Sequence, residues 1–153
     1  MNVIKKLIEL SPCKVIFVQW LDVYYGAYDY SNFSAGVQKT EIQIEVNHPI
    51  HEQIAVLAHE LGHALCAQKG CKCRLKHKEY GSMIITDEVL TEYHAFKYAL
   101  TWLLKHKQKK SLQWVMPFMG KEWGPHLIAV RKVKKLKLWE KCKKFIEEGE
   151  DER

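Results

Sequence analysis

The pentapeptide His59-Glu60-Leu61-Gly62-His63 sets two imidazoles four residues apart, with a carboxylate beside the first. On an α-helix, residues four apart lie about one turn from each other on the same face, so His59 and His63 can aim ring nitrogens at one point. A zinc ion would sit at that point. Glu60 lies about 100° round the helix from His59, near enough to reach a metal-bound water but poorly placed to bind the metal itself. Two ligands and a general base are thus written into one short stretch, and the chemistry they point to is metal-assisted hydrolysis. The competing reading is a pair of hydrogen-bonded core histidines.

The element that must position these groups is a helix over 48–68. Ile54 to Ala67 has no proline, strong helix formers and an apolar surround, the setting of a buried helix. Asn47 is predicted as its cap, Pro49 sits in the first turn, and Gly70 stops it. A catalytic zinc takes three protein ligands and leaves the fourth position to water. Candidates for the third, downstream and on a separate element, are His77, Asp87, Glu88, Glu92, His94 and His126. A second helix is predicted over 88–106, and on it Glu88, Glu92, Ala95 and Ala99 share one stripe. Small residues on that stripe would let the two helices approach closely, with Glu92 pointing at the metal and His94 facing elsewhere. Glu88 is the runner-up, as a ligand or as a partner to a motif histidine.

His59-Glu-Leu-Gly-His63, followed 29 positions later by Glu92-x-x-Ala95-x-x-Tyr98-Ala99, resembles the ImmA/IrrE family of small metallopeptidases. Tyr25-Gly26-Ala27-Tyr28 and Ile44-Glu45-Val46-Asn47 are similar to that family's short sheet, so the resemblance spans about 15–104. It implies His59, His63 and Glu92 as metal ligands, zinc as the metal and Glu60 as catalytic base. It also implies a regulatory role, in which a partner DNA-binding repressor of a phage or mobile element is cleaved or otherwise inactivated. The chain departs from the pattern at Phe96, where the family often has Asn, and lacks the family's Leu-Leu-Met-Pro ending after Leu104.

The rest of the chain is expected to form an α+β, zincin-like single domain over 1–153. A short amphipathic helix over 2–10 precedes a buried strand over 15–21, an aromatic second strand with a turn around 29–36, and a half-exposed strand over 40–46. In the last of these Ile42, Ile44 and Val46 alternate with Glu41, Gln43 and Glu45, and the expected sheet is three-stranded, antiparallel and packed on the motif helix. The 40–46 strand is expected at an exposed edge that can hold an extended substrate. Tyr24, Tyr25, Tyr28, Tyr80 and His126 are the candidates for stabilising a developing oxyanion. Residues 112–125 are rich in Trp, Met, Pro and Gly, and a basic amphipathic helix follows over 126–146.

A composition of 47% hydrophobic and 27% charged residues describes a globular protein without membrane spans. No export segment is visible near Met1, and the five cysteines show no disulfide-scaffold spacing, so the expected location is the cytoplasm with reduced thiols. A second zinc site from Cys66, Cys71, Cys73 and His77 is disfavoured, because Cys-x-Cys is tighter than a zinc knuckle. The net charge of +6 is concentrated between Arg131 and Lys144, where eight Lys or Arg face only Glu140. A solvated lysine face is the favoured reading of that helix over a nucleic-acid surface. The expected function is zinc-dependent proteolysis of a protein partner; a non-proteolytic module that inactivates its partner by binding is the rival.

Overall fold

The computed structural model describes residues 2–19, 26–29, 41–68, 87–119 and 125–148. In chain order these form helix α1 (Val3–Leu10), strands β1 (Lys14–Val18), β2 (Gly26–Asp29) and β3 (Glu41–Glu45), and helices α2 (Ile50–Gln68), α3 (Asp87–Lys105), α4 (Lys109–Met119), α5 (Pro125–Val133) and α6 (Lys137–Glu148). The class is α+β and the content mostly helical. None of the described helices is long and apolar enough to cross a membrane.

The sheet corrects the expectation of an all-antiparallel arrangement. Its order is β1-β3-β2, with β3 parallel to β1 and antiparallel to β2. Strand β3 is therefore central, not an edge, and its backbone is paired on both sides. The alternation that predicted it holds for Ile42 and Ile44, which are fully buried while Glu41, Gln43 and Glu45 are intermediate, but not for Val46, which lies past the end of the strand and is exposed. Parallel pairing of β1 with β3 continues past the strands, where Val46 N donates to Val18 O at 2.9 Å and the Asn47 amide donates to Gln19 O at 2.7 Å.

That last bond engages the amide nitrogen of Asn47 with the end of β1. The α2 ladder starts one residue before the helix, with Glu52 N and Gln53 N both donating to Pro49 O, and the Gln53 side chain reaches back to the carbonyls of His48 and Val46. Pro49 is suited to that place because it has no N–H to leave orphaned. His48 lies between Glu45 and Glu52, its Nε2 3.3 Å from one carboxylate and its Nδ1 4.0 Å from the other. The end of β3 and the first turn of α2 are thus joined by side chains as well as by chain.

Helix α2 packs most extensively against α3, and also against α4, β2, β3 and α1, which puts it at the centre of the fold. Its contribution to the core is Ile54, Ala55, Leu57, Ala58, Leu61 and Ala64, met by Leu7 of α1, Ile42 and Ile44 of β3, and Leu100 and Leu103 of α3. Helix α3 ends at Lys105 in a tight cap, where Gln108 N donates to Leu103 O and Lys107 N to Leu104 O. Lys107 takes the left-handed conformation there, with φ of 54°.

Two further expectations are corrected. Residues 109–119, not predicted as a helix, form α4, with Pro117 two residues before its end. Its buried residues Leu112, Val115, Met116 and Met119 stand at helical spacing, and Ser111 donates to His51 O of α2 at 2.7 Å. The single basic helix over 126–146 is two helices, α5 and α6, separated by a turn at 134–136. Val130, Val133, Leu136, Trp139, Cys142 and Phe145 step by threes, which on one straight helix would carry the stripe about 60° further round at each step. The turn resets the phase, and Val130, Val133 and Cys142 are all fully buried or nearly so.

Candidate metal centre

The two sides of the centre come from α2 and α3, and a single glycine sets how close they run. A Cβ on Gly62 would lie 2.8 Å from Ala95 Cα, 3.1 Å from Ala95 O and 3.2 Å from Tyr98 Cβ. A glycine in mid-helix costs about 1 kcal/mol relative to alanine, so its place here needs a packing reason. The reason is backbone contact with α3 at Ala95, which is itself fully buried. Glu92 precedes Ala95 by one turn, as His59 precedes Gly62, so the close approach brings the carboxylate across from the histidines.

The resulting cluster is His59, His63 and Glu92. His63 Nε2 lies 2.8 Å from Glu92 Oε1, His59 Nε2 lies 3.1 Å from Glu92 Oε2, and the two Nε2 atoms are 3.2 Å apart. For tetrahedral zinc with bonds of about 2.0–2.1 Å, ligand atoms stand about 3.3 Å from one another. The observed separations are close to the three edges of such a tetrahedron, slightly contracted. The donor set of two imidazoles and one carboxylate is also one that zinc takes. The two imidazoles are within hydrogen-bond distance of each other through Nε2, whereas the His59 to Glu92 approach falls outside hydrogen-bond geometry despite its length. On donor chemistry and spacing the residues fit a zinc ion.

All three side chains are mostly withdrawn from water, with 14%, 16% and 11% of their surface exposed for His59, His63 and Glu92. Side chains so far withdrawn from water feel a metal's charge more strongly than exposed ones would. Glu60 is buried on α2 beside His59 and is not one of the clustered groups. The His59 and His63 rings meet edge to face at 4.8 Å, and Phe96 lies against the other side of His59 with ring centroids 4.4 Å apart.

Of the third-ligand candidates, the structure brings Glu92 to the histidines. His94 instead makes an edge contact with the Tyr93 ring. The side chains of Asp87, Glu88 and His126, and the whole of His77, lie outside the described residues. So do the side chains of the oxyanion candidates Tyr24, Tyr25, Tyr28, Tyr80 and His126. The members of the disfavoured second zinc group fall there too, apart from Cys66. Cys66 corrects the expectation of reduced thiols throughout: near the end of α2 it is disulfide-bonded, whereas Cys13 and Cys142 are free.

Sequence reasoning missed two residues of the site. Gly62 stood inside the motif, and its signal was the helix penalty that only close packing offsets. Phe96 stood one turn after Glu92 on the same face of α3, the spacing that marks a neighbour of the ligand. No protein-family model, curated protein or solved structure matches the chain.

Proposed function

We propose that this chain is a zinc-dependent metallopeptidase acting on a protein partner, and that the partner is a helix-turn-helix transcriptional repressor of a phage or mobile element. The observation that supports the reading is the convergence of His59, His63 and Glu92 at separations of 2.8–3.2 Å. A zinc ion held there supplies a Lewis acid and a hydroxide source near neutral pH.

The chain's own residues do the remainder. His59 and His63 bind as neutral imidazoles, and Glu92 contributes one negative charge, which leaves the centre net positive and attractive to a carbonyl oxygen. Glu60, on the adjoining strip of α2, accepts the proton of the attacking water and returns it to the leaving amine. The partial closure of the site keeps bulk water from competing with the substrate. The repressor as partner rests on the resemblance of the two motif helices to the ImmA/IrrE pattern, and a cytoplasmic location follows from such a partner.

The test combines metal content with proteolysis. Glu60→Gln keeps one zinc per chain and loses about 10² to 10⁴ in rate, whereas His59→Ala and Glu92→Ala lose the metal as well. Stoichiometric zinc retained by the His59→Ala protein would sink the assignment. Relief of repression by the Glu60→Gln protein would replace proteolysis with inactivation by binding.

A further inference from the structure

Between Arg131 and Lys144 the chain carries eight Lys or Arg and one acid, Glu140. The split of this stretch into α5 and α6 decides where the charges stand. Arg131 lies in the last turn of α5, Lys134 and Lys135 in the turn between the helices, and Lys137, Lys141 and Lys144 on α6; all six are exposed. Spacings of four and three put Lys137, Lys141 and Lys144 on one stripe. The other side of α6 belongs to the core, where Cys142 is fully buried and Leu138, Phe145 and Ile146 pack against the central cluster.

A lysine face that is merely solvated is ordinarily laced with carboxylates at i,i+4 spacing. Glu140 stands four residues before Lys144 and Glu148 four after it, yet none of the six cations forms an ion pair among the described residues. Lys134 instead lies over the Trp139 ring, with Nζ 5.7 Å from its centroid. Crowding shows at the neighbouring Lys132, whose ammonium is lowered from its ordinary range by desolvation and then by the charge of Lys135. The chain thus leaves the positive field of this face unneutralised.

Three classes of anionic partner could cover such a face, and their demands differ. A bilayer asks a basic helix for a free apolar side to bury, and that of α6 is already turned inward. A protein interface is anchored by aromatic or apolar side chains at its centre. The exposed large hydrophobics of the described residues are Ile8, Leu10, Phe17, Val46 and Ile50, none of them on α5 or α6. A nucleic-acid backbone asks for charge alone. Lys137 to Lys144 covers about 10 Å of helix, beside which a duplex presents about six phosphates. Arg131 is the only arginine among the eight cations, and lysine meets phosphate as a point charge without the fork that reads bases.

We propose that the Lys137, Lys141 and Lys144 stripe of α6, with the preceding Arg131, Lys134 and Lys135, binds the phosphate backbone of duplex nucleic acid without reading its sequence. None of these residues belongs to the metal centre, so the proposal stands apart from the zinc reading.

Binding of the whole protein to a labelled duplex DNA of about 20 base pairs is followed by fluorescence anisotropy between about 50 and 200 mM salt. The wild type is expected to bind with Kd of about 10⁻⁴ to 10⁻⁶ M at physiological salt, and the slope of log K against log salt to be about −4 to −5. The Lys137→Gln/Lys141→Gln/Lys144→Gln protein loses three contacts at about 0.9 each, so its slope should be shallower by about 2.7. A control, Lys5→Gln/Lys14→Gln/Lys97→Gln, removes the same charge from exposed positions on α1, β1 and α3 and should keep the wild-type slope. Thermal midpoints of both variants should match the wild type, since every substituted side chain is exposed. No binding by the wild type at about 50 mM salt overturns the proposal, as does an unchanged slope in the α6 variant. Equal losses in the two variants overturn it too, by reducing the effect to net charge. Tighter binding to poly-glutamate or to anionic phospholipid vesicles than to DNA would assign the surface to another partner. Duplex RNA should bind within a few-fold of DNA, and a preference of about tenfold among unrelated DNA sequences would overturn sequence-blind binding.

Discussion

Replacing Gly62 by alanine places one methyl group between α2 and α3. Its carbon would start 2.8 Å from Ala95 Cα and 3.1 Å from Ala95 O, both backbone atoms of α3. Carbon atoms in contact settle at about 3.5–4.0 Å, so α3 has to retreat by about 1 Å at this point. Glu92 is one turn away on the same helix and moves with it. Its contacts of 3.1 Å and 2.8 Å to the histidines would open to about 4 Å, past the edge of about 3.3 Å that tetrahedral zinc requires. The overpacking costs about 1–3 kcal/mol and the better helix former returns about 0.5–1 kcal/mol, leaving the zinc-free protein about 1 kcal/mol less stable. That corresponds to a fall of about 2–4 °C in midpoint for a chain of this size. Zinc affinity falls more, by about tenfold or beyond, because a ligand constellation tolerates only about 0.5 Å of displacement. Chelator competition gives the affinity and thermal unfolding of the zinc-free protein gives the stability. A Gly62→Ala protein that is more stable than the wild type and binds zinc unchanged would refute the close-approach argument. A second substitution, Ala95→Gly, should not restore binding, since the clash is with the Cα and carbonyl of residue 95 and not with its methyl.

Lys107 caps α3 in a left-handed conformation that glycine adopts without cost, so Lys107→Gly should stabilise the protein by about 0.5–1 kcal/mol in urea titration. Cys142 is fully buried, and burial pushes its thiol up to about 11 from an ordinary value of 9.0. Its proton is retained in the folded protein and lost from the unfolded one between those values, so the stability that Cys142 confers is intact below pH 9 and declines as pH rises to 11. The stability difference between wild type and Cys142→Ala should therefore move against the wild type by about 2–3 kcal/mol across that window, read from urea midpoints at a series of pH values.

The site was legible because its information is local. His59, His63 and the Glu92 to Ala99 stripe are all set by helical spacing within one element each, and the small residues at 95 and 99 announced a close neighbour. What faced them could not be read: nothing in the spacing of Gly62 names Ala95 as its contact, and nothing in the Phe96 position names His59. The fold was legible to the same depth. Alternation found β3 and its buried Ile42 and Ile44, but strand order depends on which distant segments pair, and the parallel partnership of β1 with β3 left no mark in either strand's pattern. Helix α4 was obscured by Pro117 and the surrounding tryptophan and glycine, although Leu112, Val115, Met116 and Met119 carried its period. The split between α5 and α6 was encoded in apolar steps of three, a spacing that a straight helix cannot keep on one face.

The sheet order carries a consequence for how the chain comes together. Strands β1 and β2 do not touch each other; each pairs only with β3, the last of the three in sequence and the middle one in space. Neither of the earlier strands can be zipped up as it is made, so the sheet waits for residues 41–45, and its pairings span long stretches of chain, which slows assembly. The same residues run straight into Pro49 and α2, fastened by His48, Asn47 and Gln53. The strand that completes the sheet and the helix that carries His59 and His63 are thus one continuous, braced segment, so whatever orders the middle of the sheet also orders the start of α2.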